Sequence, residues 1–385
     1  MIKVVHIITK LELGGAQQNT LYTVSHLDKD KFIPILITGS EGLLVDDAKR
    51  LGIETHFLPS LVREINPIKD IAALFAITIL LRRIKRPSAS TAIVHTHSSK
   101  AGIVGRWAAY LAGIPVIIHT YHGFGFNDYQ NLFRKWFYIY LERFTALITT
   151  KFIAVSKKNI ETGINVGIFK KEDVELIRSG IDISEFSDIE IDKAKKKKEL
   201  GIEPGLPLIG MIACFKPQKA PLDFIKAAHL VHKKMPDARF IVTGDGELRS
   251  AIEEMINRLG LNNVIKLPGF RRDIPEIMNC LDVLVLTSLW EGLPKVIVQA
   301  LSAGIPVVAT EVDGSSEVVK NGINGFLVKP GDVKGIAEKI VHILQKPKGF
   351  KFQISNFKSI LDEFDIDLMV RQQEKLYENT LNICK

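Results

Sequence analysis

Residues 283–300 read VLVLTSLWEGLPKVIVQA, and this stretch contains one complete strand, turn and helix start. The apolar, partly β-branched residues at its beginning predict a buried strand. Pro294 suits the first turn of a helix, because the N–H that proline lacks would have no helical partner there. Between them, the Glu291 carboxylate lies in a turn beside the N–H groups of Gly292 and Leu293, an arrangement that can bind sugar hydroxyls. The stretch therefore predicts a βα unit with a polar site after the strand.

The same alternation of short apolar runs and helical patterns extends along the whole chain. Predicted strands occupy residues 4–9, 33–38, 55–58, 92–96, 116–120, 152–155 and 174–177 in the first half, and 208–214, 239–243, 263–267, 283–287, 306–310 and 326–328 in the second. This pattern is typical of α/β proteins with parallel sheets. We expect two Rossmann-like domains that face a cleft, because open α/β sheets bind ligands beyond their carboxyl strand ends.

The boundaries of the two domains follow from a break in this alternation. Residues 184–206 contain acids, a run of four lysines and a Pro-Gly pair, and they predict a linker. The N-terminal domain is expected over residues 1–183 and the C-terminal domain over residues 207–365. The amphipathic pattern near residues 366–385 leads into no further strand. We therefore expect this C-terminal helix to cross back to the N-terminal domain.

Composition excludes several classes of protein. The chain has 385 residues, of which 46% are hydrophobic and 24% charged, so we exclude disorder, collagen and coiled coils. Its three cysteines, Cys214, Cys280 and Cys384, are too far apart for a disulfide framework or a zinc motif. The longest uncharged helical run, residues 71–81, is about half of what a spanning helix needs. We expect a cytoplasmic protein without a membrane-spanning helix.

The positive charge is concentrated in the first half. Residues 1–183 hold 23 basic and 16 acidic side chains, whereas the remainder holds 28 and 27. The stretches 71–86 and 133–140 mix apolar or aromatic residues with cations, which suits a bilayer interface. An anionic membrane surface on the inner face of the cell membrane is thus a candidate partner, and no nucleic acid is expected. Ordinary core helices with basic edges explain the pattern equally well.

Other polar residues also follow predicted strands. Gly14 and Gly15 open the first helix and let the backbone approach a ligand closely, although a plain tight turn would also use them. Lys216 and Lys219 follow the first strand of the second half and would converge on a diphosphate, unless they are ordinary solvated lysines. Gln299 lies eight residues after the turn carboxylate, at most about 12 Å along a helix, and would contact another part of an extended ligand.

Five motifs together resemble glycosyltransferase family 4 in order and spacing. They are Gly14-Gly15-Ala16, His122-Gly123, Ser179-Gly180-Ile181-Asp182, Lys216-Pro-Gln-Lys219 and Glu291-Gly-Leu-Pro. The resemblance covers essentially the whole chain and implies the GT-B architecture of retaining sugar-nucleotide glycosyltransferases. The stretches 95–102 and 119–126 look most like bacterial members that build exopolysaccharide, capsule, lipopolysaccharide or lipid-linked glycans.

This resemblance implies roles for the residues of the second half. Glu291 looks like the family acid that holds the donor sugar hydroxyls, and Lys219 matches the family lysine at the diphosphate. Gln299 stands where the family has an acid for the ribose, so the charge is lost while an acceptor remains. Cys214 stands where the family usually has an arginine, and Lys216 is a replacement cation without the guanidinium fork.

The resemblance also extends to the first half and to the loops around the nucleotide. His122 looks like the family histidine beside the transferred sugar, and an interior histidine with a satisfied ring is the alternative. Gly244, Asp245 and Phe270 resemble loop residues around the nucleotide, with Phe270 close to the base. We interpret three further histidines of the strands as structural: His95, His97 and His119.

The function implied by the resemblance is metal-independent transfer of a hexosyl or N-acetylhexosaminyl unit from a nucleotide-diphosphate sugar, with UDP expected. No metal or other cofactor is expected, and the two D-x-D patterns at residues 28–30 and 365–367 follow no buried strand. The acceptor is expected to be a lipid-linked or polysaccharide precursor of the cell envelope. Two alternatives remain: a UDP-N-acetylglucosamine 2-epimerase, and a silent sugar-nucleotide-binding subunit, which Cys214 and Gln299 allow.

Overall fold

A computed structural model describes residues 1–85, 92–187, 189–345 and 361–383 of the chain. Arg86, at the basic end of one predicted helix, and Cys384 lie outside these ranges. The chain forms two compact units. The first consists of Met1–Gly180 together with Ile366–Lys385, and the second consists of Ile181–Asp365. Both units are α/β and each is built on one parallel sheet, as the alternation in the sequence predicted.

The first unit has a seven-stranded sheet in the order β3-β2-β1-β4-β5-β6-β7. Its strands are β1 Ile2–Ile8, β2 Phe32–Thr38, β3 Glu54–Phe57, β4 Ala92–His97, β5 Val116–Tyr121, β6 Lys151–Ala154 and β7 Val174–Leu176. Every predicted strand of the first half coincides with one of these to within two residues at each end. The central strands are buried on both faces, which explains their continuous apolar runs.

The second unit has a six-stranded sheet in the order β10-β9-β8-β11-β12-β13. Its strands are β8 Leu208–Ile212, β9 Arg239–Thr243, β10 Ile265–Gly269, β11 Val283–Leu286, β12 Val307–Thr310 and β13 Gly325–Val328. The strand order reverses at β8, which pairs with β9 on one side and β11 on the other. Ligands of open α/β sheets bind beyond the carboxyl strand ends at such a reversal.

Helices cover both faces of each sheet. In the first unit they are α1 Gly15–His26, α2 Val45–Arg50, α3 Pro67–Lys85, α4 Ser99–Leu111, α5 Leu132–Ala146 and α6 Lys157–Asn165. In the second they are α7 Ser184–Ser187, α8 Lys193–Glu199, α9 Pro221–Lys234, α10 Arg249–Arg258, α11 Ile274–Asn279, α12 Lys295–Ser302, α13 Ser315–Val318 and α14 Val333–Leu344. The last helix, α15 Ile366–Ile383, packs on the first unit. No helix in the described ranges is long and apolar enough to span a membrane.

The segment predicted as a linker is instead folded onto the second unit. Residues 184–206 contain α7 and α8, and Asp192 caps α8 by accepting a hydrogen bond from the Lys195 N–H at 3.0 Å. Within the four-lysine run, Lys196 is buried and its Nζ lies 2.5 Å from Asp273 Oδ2 and 2.6 Å from Glu276 Oε2. The sequence predicted a linker here, whereas these tertiary ion pairs fix one of the four lysines in place.

The C-terminal helix α15 closes one face of the first sheet. Its apolar side buries Met369, Val370 and Tyr377 against a cluster that includes Val4 and Ile93 of the central strands. The predicted return of this helix to the first half is therefore observed within the first unit. Because α15 follows the second unit in sequence, the chain reaches it only after that unit is complete.

A buried ion pair joins α4 and α5 to the sheet of the first unit. Arg106 Nη2 donates to Glu142 Oε2 at 2.7 Å, and both side chains are almost fully buried. The Tyr121 hydroxyl donates to the same carboxylate oxygen at 2.8 Å. Arg106, Glu142 and Tyr121 thus satisfy one another's hydrogen-bonding groups in a buried region.

Replacing Glu142 with alanine should destabilise the protein by roughly 3 kcal/mol, because the Arg106 charge would stay buried without its partner. Chemical denaturation of the full chain measures this change. Glu161→Ala is the matched control, since Glu161 forms an exposed pair with Lys158 at 3.3 Å and should cost under about 1 kcal/mol. Equal losses of unfolding free energy in the two variants would show that the buried pair stabilises the protein no more than the exposed pair does.

Candidate functional site

The reversal of strand order in the second unit places two loops that carry predicted site residues side by side. Lys216 and Lys219 lie in the loop after β8, and Glu291 lies in the loop after β11. Lys219 Nζ is in direct contact with Glu291 Oε1. The Ser288 hydroxyl donates to the same carboxylate oxygen at 2.6 Å. The structure therefore brings together a cation and a carboxylate that are 72 residues apart in sequence.

Backbone contacts hold these two loops in register. Lys219 ends a short 3-10 helix, Pro217–Lys219, and the following Ala220 adopts left-handed angles of φ 43° and ψ 51°. The Thr287 hydroxyl lies within hydrogen-bond distance of the carbonyls of Lys219 and Ala220, at 2.8 and 2.9 Å. In the other direction, Gln218 Nε2 donates to the Trp290 carbonyl at 2.9 Å. Lys216 caps the same 3-10 helix and thus lies on this cross-linked loop.

The buried turn Gly292-Leu293 receives support from a residue that the sequence analysis missed. Asp313, in the loop after β12, accepts a hydrogen bond from the Glu291 N–H at 2.7 Å through Oδ2. Its backbone has φ 36°, an angle that costs a non-glycine residue free energy. The adjacent Gly314 N–H donates to the Gly292 carbonyl at 3.2 Å, where a Cβ would approach that oxygen to 2.6 Å.

The sequence held one signal for Asp313 and none for Ser288. Asp313 follows a strand and precedes a glycine, so the rule that functional residues follow parallel strands could have found it. Ser288 is buried and indistinguishable by spacing from any serine in a turn. Its role depends on the position of the carboxylate of Glu291, which only the folded loop fixes.

The other predicted residues of the second unit lie on α12 or directly after β9 and β10. Gln299 is half-buried on α12, whose first residue is Lys295. Gly244 has φ 137°, and a Cβ there would come within 2.0 Å of the Ala213 carbonyl, so glycine permits the loops after β8 and β9 to touch. Asp245 Oδ2 pairs with Arg249 at 3.0 Å. Phe270 follows the edge strand β10 and is 45% exposed.

In the first unit, the two glycines and His122 lie where the strands end. Gly14 caps α1 and Gly15 is its first residue, so the predicted helix start is observed. His122 follows β5, and its Nε2 lies 3.3 Å from Nδ1 of His97, the last residue of β4. Both histidines line a small pocket to which α1 contributes Asn19 and α15 contributes Gln373.

His97 belongs to a buried group of histidines. Ring nitrogens of His6, His95 and His97 lie within 4.8 Å of one another, and the group holds no carboxylate. Burial lowers the pKa of His6 to about 3 and lowers the pKa values of His95 and His97 well below their usual value. These three rings are therefore neutral at physiological pH. The D-x-D residue Asp28 lies elsewhere, where its Oδ1 accepts a bond from the Asp30 N–H at 3.0 Å.

Lys295, at the start of α12, carries a shifted pKa. Burial lowers the pKa of Lys295 from 10.5 to about 8, and the carboxylate of Glu185 opposes the shift. Burial in turn raises the pKa of Glu185. Lys295, which begins α12 just after the turn that holds Glu291, thus has a pKa close to physiological pH.

Family models match both halves of the chain. Residues 13–185 match the model of Glycosyltransferase Family 4, and residues 192–357 match that of Glycosyl transferases group 1. Anabaena Alr3699/HepE, solved with UDP and glucose, superposes with a TM-score of 0.83 at 21% identity, covering 98% of this chain and 100% of that one. The fold is therefore that of the GT-B glycosyltransferases, with two parallel-sheet α/β domains.

Two bacterial glycosyltransferases are similar to this chain over most of its length. An Escherichia coli enzyme named UDP-Gal:alpha-D-GlcNAc-diphosphoundecaprenol alpha-1,3-galactosyltransferase is 33% identical over 98% of this chain and 96% of its own length. The Staphylococcus aureus capsular polysaccharide biosynthesis glycosyltransferase CapM is 25% identical over 85% of each chain. The chain belongs to glycosyltransferase family 4, as the five motifs of its sequence indicated.

The pKa of Lys295 predicts a pH-dependent effect of Lys295→Met on stability. Below about pH 8 the folded wild-type protein carries a disfavoured buried charge, so the variant should gain stability there on the order of 1 kcal/mol. This advantage should shrink as the pH rises from about 8 towards 10.5, where the unfolded lysine also loses its proton. Chemical denaturation at pH 7 and pH 10 measures it. Lys226→Met, at a half-exposed lysine, is the control, and the same pH trend in both variants would contradict the prediction.

Proposed function

We propose that this protein is a retaining, metal-independent glycosyltransferase that moves a hexosyl or N-acetylhexosaminyl unit from a UDP-sugar to a lipid-linked saccharide of the cell envelope. The contact between Lys219 and Glu291 at the strand reversal carries the proposal. A cation and a carboxylate fixed in one place suit a ligand that has a diphosphate next to a sugar. The membership of glycosyltransferase family 4 supports the same ligand class.

Each residue of the loop pair has a proposed role at the donor. Lys219 and Lys216 bind the diphosphate, and the N–H groups near the start of α12 add a favourable dipole. Glu291 accepts hydrogen bonds from hydroxyls of the transferred sugar, while Gln299 binds the ribose. His122, on the first unit, contacts the transferred sugar in this proposal. Ser288 and Asp313 hold the Glu291 carboxylate and its backbone N–H in position.

The proposed transfer proceeds on one face of the donor sugar. The bond between the anomeric carbon and the diphosphate oxygen breaks, and the acceptor oxygen bonds to the same face of that carbon. The departing phosphate oxygen takes the proton of the acceptor hydroxyl. Negative charge therefore grows on the diphosphate, where Lys219 and Lys216 stabilise it. In this route Glu291 orients the sugar and forms no covalent intermediate.

The relatives support a polyprenyl-diphosphate acceptor. The Escherichia coli relative acts, by its name, on GlcNAc-diphosphoundecaprenol. A Campylobacter jejuni relative, 27% identical over 60% of this chain, is named N,N'-diacetylbacillosaminyl-diphospho-undecaprenol alpha-1,3-N-acetylgalactosaminyltransferase. Both names describe an acceptor in which a sugar is linked to undecaprenyl diphosphate. A lipid-linked acceptor of this kind is anchored in a bilayer, so this protein would have to bind it at the bilayer surface.

The outer surface of α3 and α5 fits that requirement. Side chains exposed on α5 are Leu132, Phe133, Trp136, Phe137, Tyr140 and Phe144, and those on α3 are Ile68, Ile71, Phe75 and Ile79. We call these side chains the apolar outer surface. Trp107 of α4 stacks on Phe144 of α5, with 5.1 Å between the ring centroids, which links α4 to this surface. Arg134, Lys135 and Arg143 lie among the aromatic residues of α5. Aromatic side chains interleaved with cations suit an anionic lipid headgroup region.

A silent sugar-nucleotide-binding subunit is the second candidate, because Gln299 removes one negative charge and Cys214 one positive charge from the family pattern. Such a protein would bind UDP without turning it over. The retained contact between Lys219 and Glu291 favours a working transferase instead.

Incubation with UDP-galactose, UDP-glucose, UDP-GlcNAc, UDP-GalNAc, GDP-mannose and ADP-glucose tests the proposal, with EDTA and a synthetic GlcNAc-diphospholipid present. One UDP-sugar should release UDP and lengthen the lipid-linked glycan, and NMR of the product should show the donor's anomeric configuration. Glu291→Gln should lower kcat/KM by about 100-fold or more, because it removes the charge that orients the sugar.

Glu253→Gln is the matched control, since Glu253 also pairs with a basic residue of the second unit but lies on the exposed side of α10. Its kcat/KM should stay within twofold of wild type. UDP binding without release from any donor would instead establish the silent subunit. A product of inverted configuration, or activity that EDTA abolishes, would contradict the mechanism.

Binding to vesicles tests the apolar outer surface. Phe133→Ala combined with Phe137→Ala should weaken binding to phosphatidylglycerol vesicles at least tenfold, because each ring contributes roughly 2 kcal/mol when buried. Raising the salt concentration should weaken binding further. Leu43→Ala combined with Ile323→Ala removes exposed apolar side chains elsewhere and should leave binding unchanged. Equal binding to neutral phosphatidylcholine vesicles would contradict the role of the basic residues.

A further inference from the structure

A continuous file of hydrogen-bonding groups runs from helix α15 to His122 inside the first unit. The Tyr377 hydroxyl lies 3.2 Å from Gln373 Oε1 and 3.5 Å from His6 Nε2. His6 Nδ1 lies 3.0 Å from His97 Nε2, and His97 Nδ1 lies 3.3 Å from His122 Nε2. We call these five residues the histidine file. It joins residues near both ends of the chain through the middle of the sheet.

The side-chain amide of Gln373 fixes which group donates and which accepts in every hydrogen bond of the histidine file. An amide oxygen can only accept, so the Tyr377 hydroxyl donates its one proton to Gln373 Oε1. The tyrosine oxygen is then an acceptor for His6 Nε2–H. A neutral imidazole has one donor and one acceptor nitrogen, so His6 Nδ1 must accept a proton from His97 Nε2. His97 Nδ1 must then accept from His122 Nε2.

The neighbouring His95 agrees with this assignment. His95 Nδ1 lies 2.6 Å from the Tyr377 oxygen, and its Nε2 lies 2.7 Å from the Thr120 hydroxyl. Donation from His95 Nδ1–H to the tyrosine leaves Nε2 to accept from Thr120. Every group of the file then has a matched partner, which buried polar groups require. Burial keeps His6 and His97 neutral, since it holds the pKa of each far below physiological pH.

We propose that Gln373 and Tyr377 act through His6 and His97 to keep a proton on Nε2 of His122. In this assignment a neutral His122 ring has its acceptor nitrogen at Nδ1, the kind of group that accepts a hydrogen bond from a sugar hydroxyl. His6, His97, Tyr377 and Gln373 are thus positioning residues for the transfer reaction. This inference rests on the proposed function, in which His122 contacts the transferred sugar.

One observation favours this role over a purely structural one. His97, Gln373 and His122 line the same small pocket, and the file ends at His122, which is half-buried rather than enclosed in the core.

Nitrogen-15 NMR of the full chain labelled at histidine tests the proposal. Two-bond correlations distinguish a protonated ring nitrogen from a bare one, and loss of a signal in His122→Gln assigns that residue. The wild-type spectrum should show the proton of His122 on Nε2. Gln373→Met frees the Tyr377 proton to point towards His6, which should shift the His122 proton from Nε2 to Nδ1. Tyr377→Phe removes the acceptor of His6 Nε2–H and should have the same effect.

Tyr22→Phe is the matched control for the tyrosine. Its hydroxyl also bonds to α15, at 2.6 Å from Asp367 Oδ1, but lies outside the histidine file. This variant should leave the His122 spectrum unchanged. A His122 proton on Nδ1 in the wild type, or an unchanged His122 in both Gln373→Met and Tyr377→Phe, would overturn the proposal. One equivalent of ZnCl2 that shifts His6, His95 and His97 together would assign the group to a metal and overturn it as well.

A kinetic measurement separates this inference from the proposed function. Gln373→Met should lower kcat about fivefold to tenfold, the value of one hydrogen bond to the sugar, with little change in KM for the donor. If the protein transfers no sugar, the NMR result still stands as a statement about the proton of His122. If transfer is normal in a Gln373→Met variant whose His122 proton has moved, only the role of the histidine file is wrong.

Discussion

The contact between Lys219 and Glu291 depends on one constraint, the reversal of strand order at β8. Parallel strands deliver their following loops to the same sheet edge, and neighbouring strands deliver them side by side. Because β8 pairs with β11, two loops that are far apart in sequence become cross-linked through Thr287 and Gln218. A different strand order would leave the same residues on the same loops without a shared site. The proximity of Lys219 and Glu291 is therefore a property of sheet topology.

The two units differ in the charge of their buried polar groups. The second unit keeps charges, and it offsets the cost of partial burial by pairing Lys219 with Glu291 and by aiming Ser288 at the same oxygen. The first unit removes charge, because burial leaves the rings of His6 and His97 neutral. Charge suits a diphosphate, whereas a neutral ring suits a hydroxyl.

The elements of the fold could be predicted because their signals are local. Each β-branched run became a strand, since a strand buried on both faces must be continuously apolar. The linker prediction failed over residues 184–206, where acids and lysines indicated solvent. Lys196 is buried there because Asp273 and Glu276, both on or next to α11, neutralise it. Composition cannot report such pairing, because the partners are distant in sequence.

For the site, the sequence by itself identified the candidate residues: Glu291, Lys216, Lys219 and His122 all follow strands, and the motifs that contain them identify the family. Only the tertiary structure decided which of these residues meet and what supports them. It added Ser288, Asp313 and the histidine file, and it gave the buried His97, first interpreted as structural, a place beside His122. The physical reason is that spacing along a chain records local geometry, whereas a hydrogen bond between distant loops depends on the order of the strands between them.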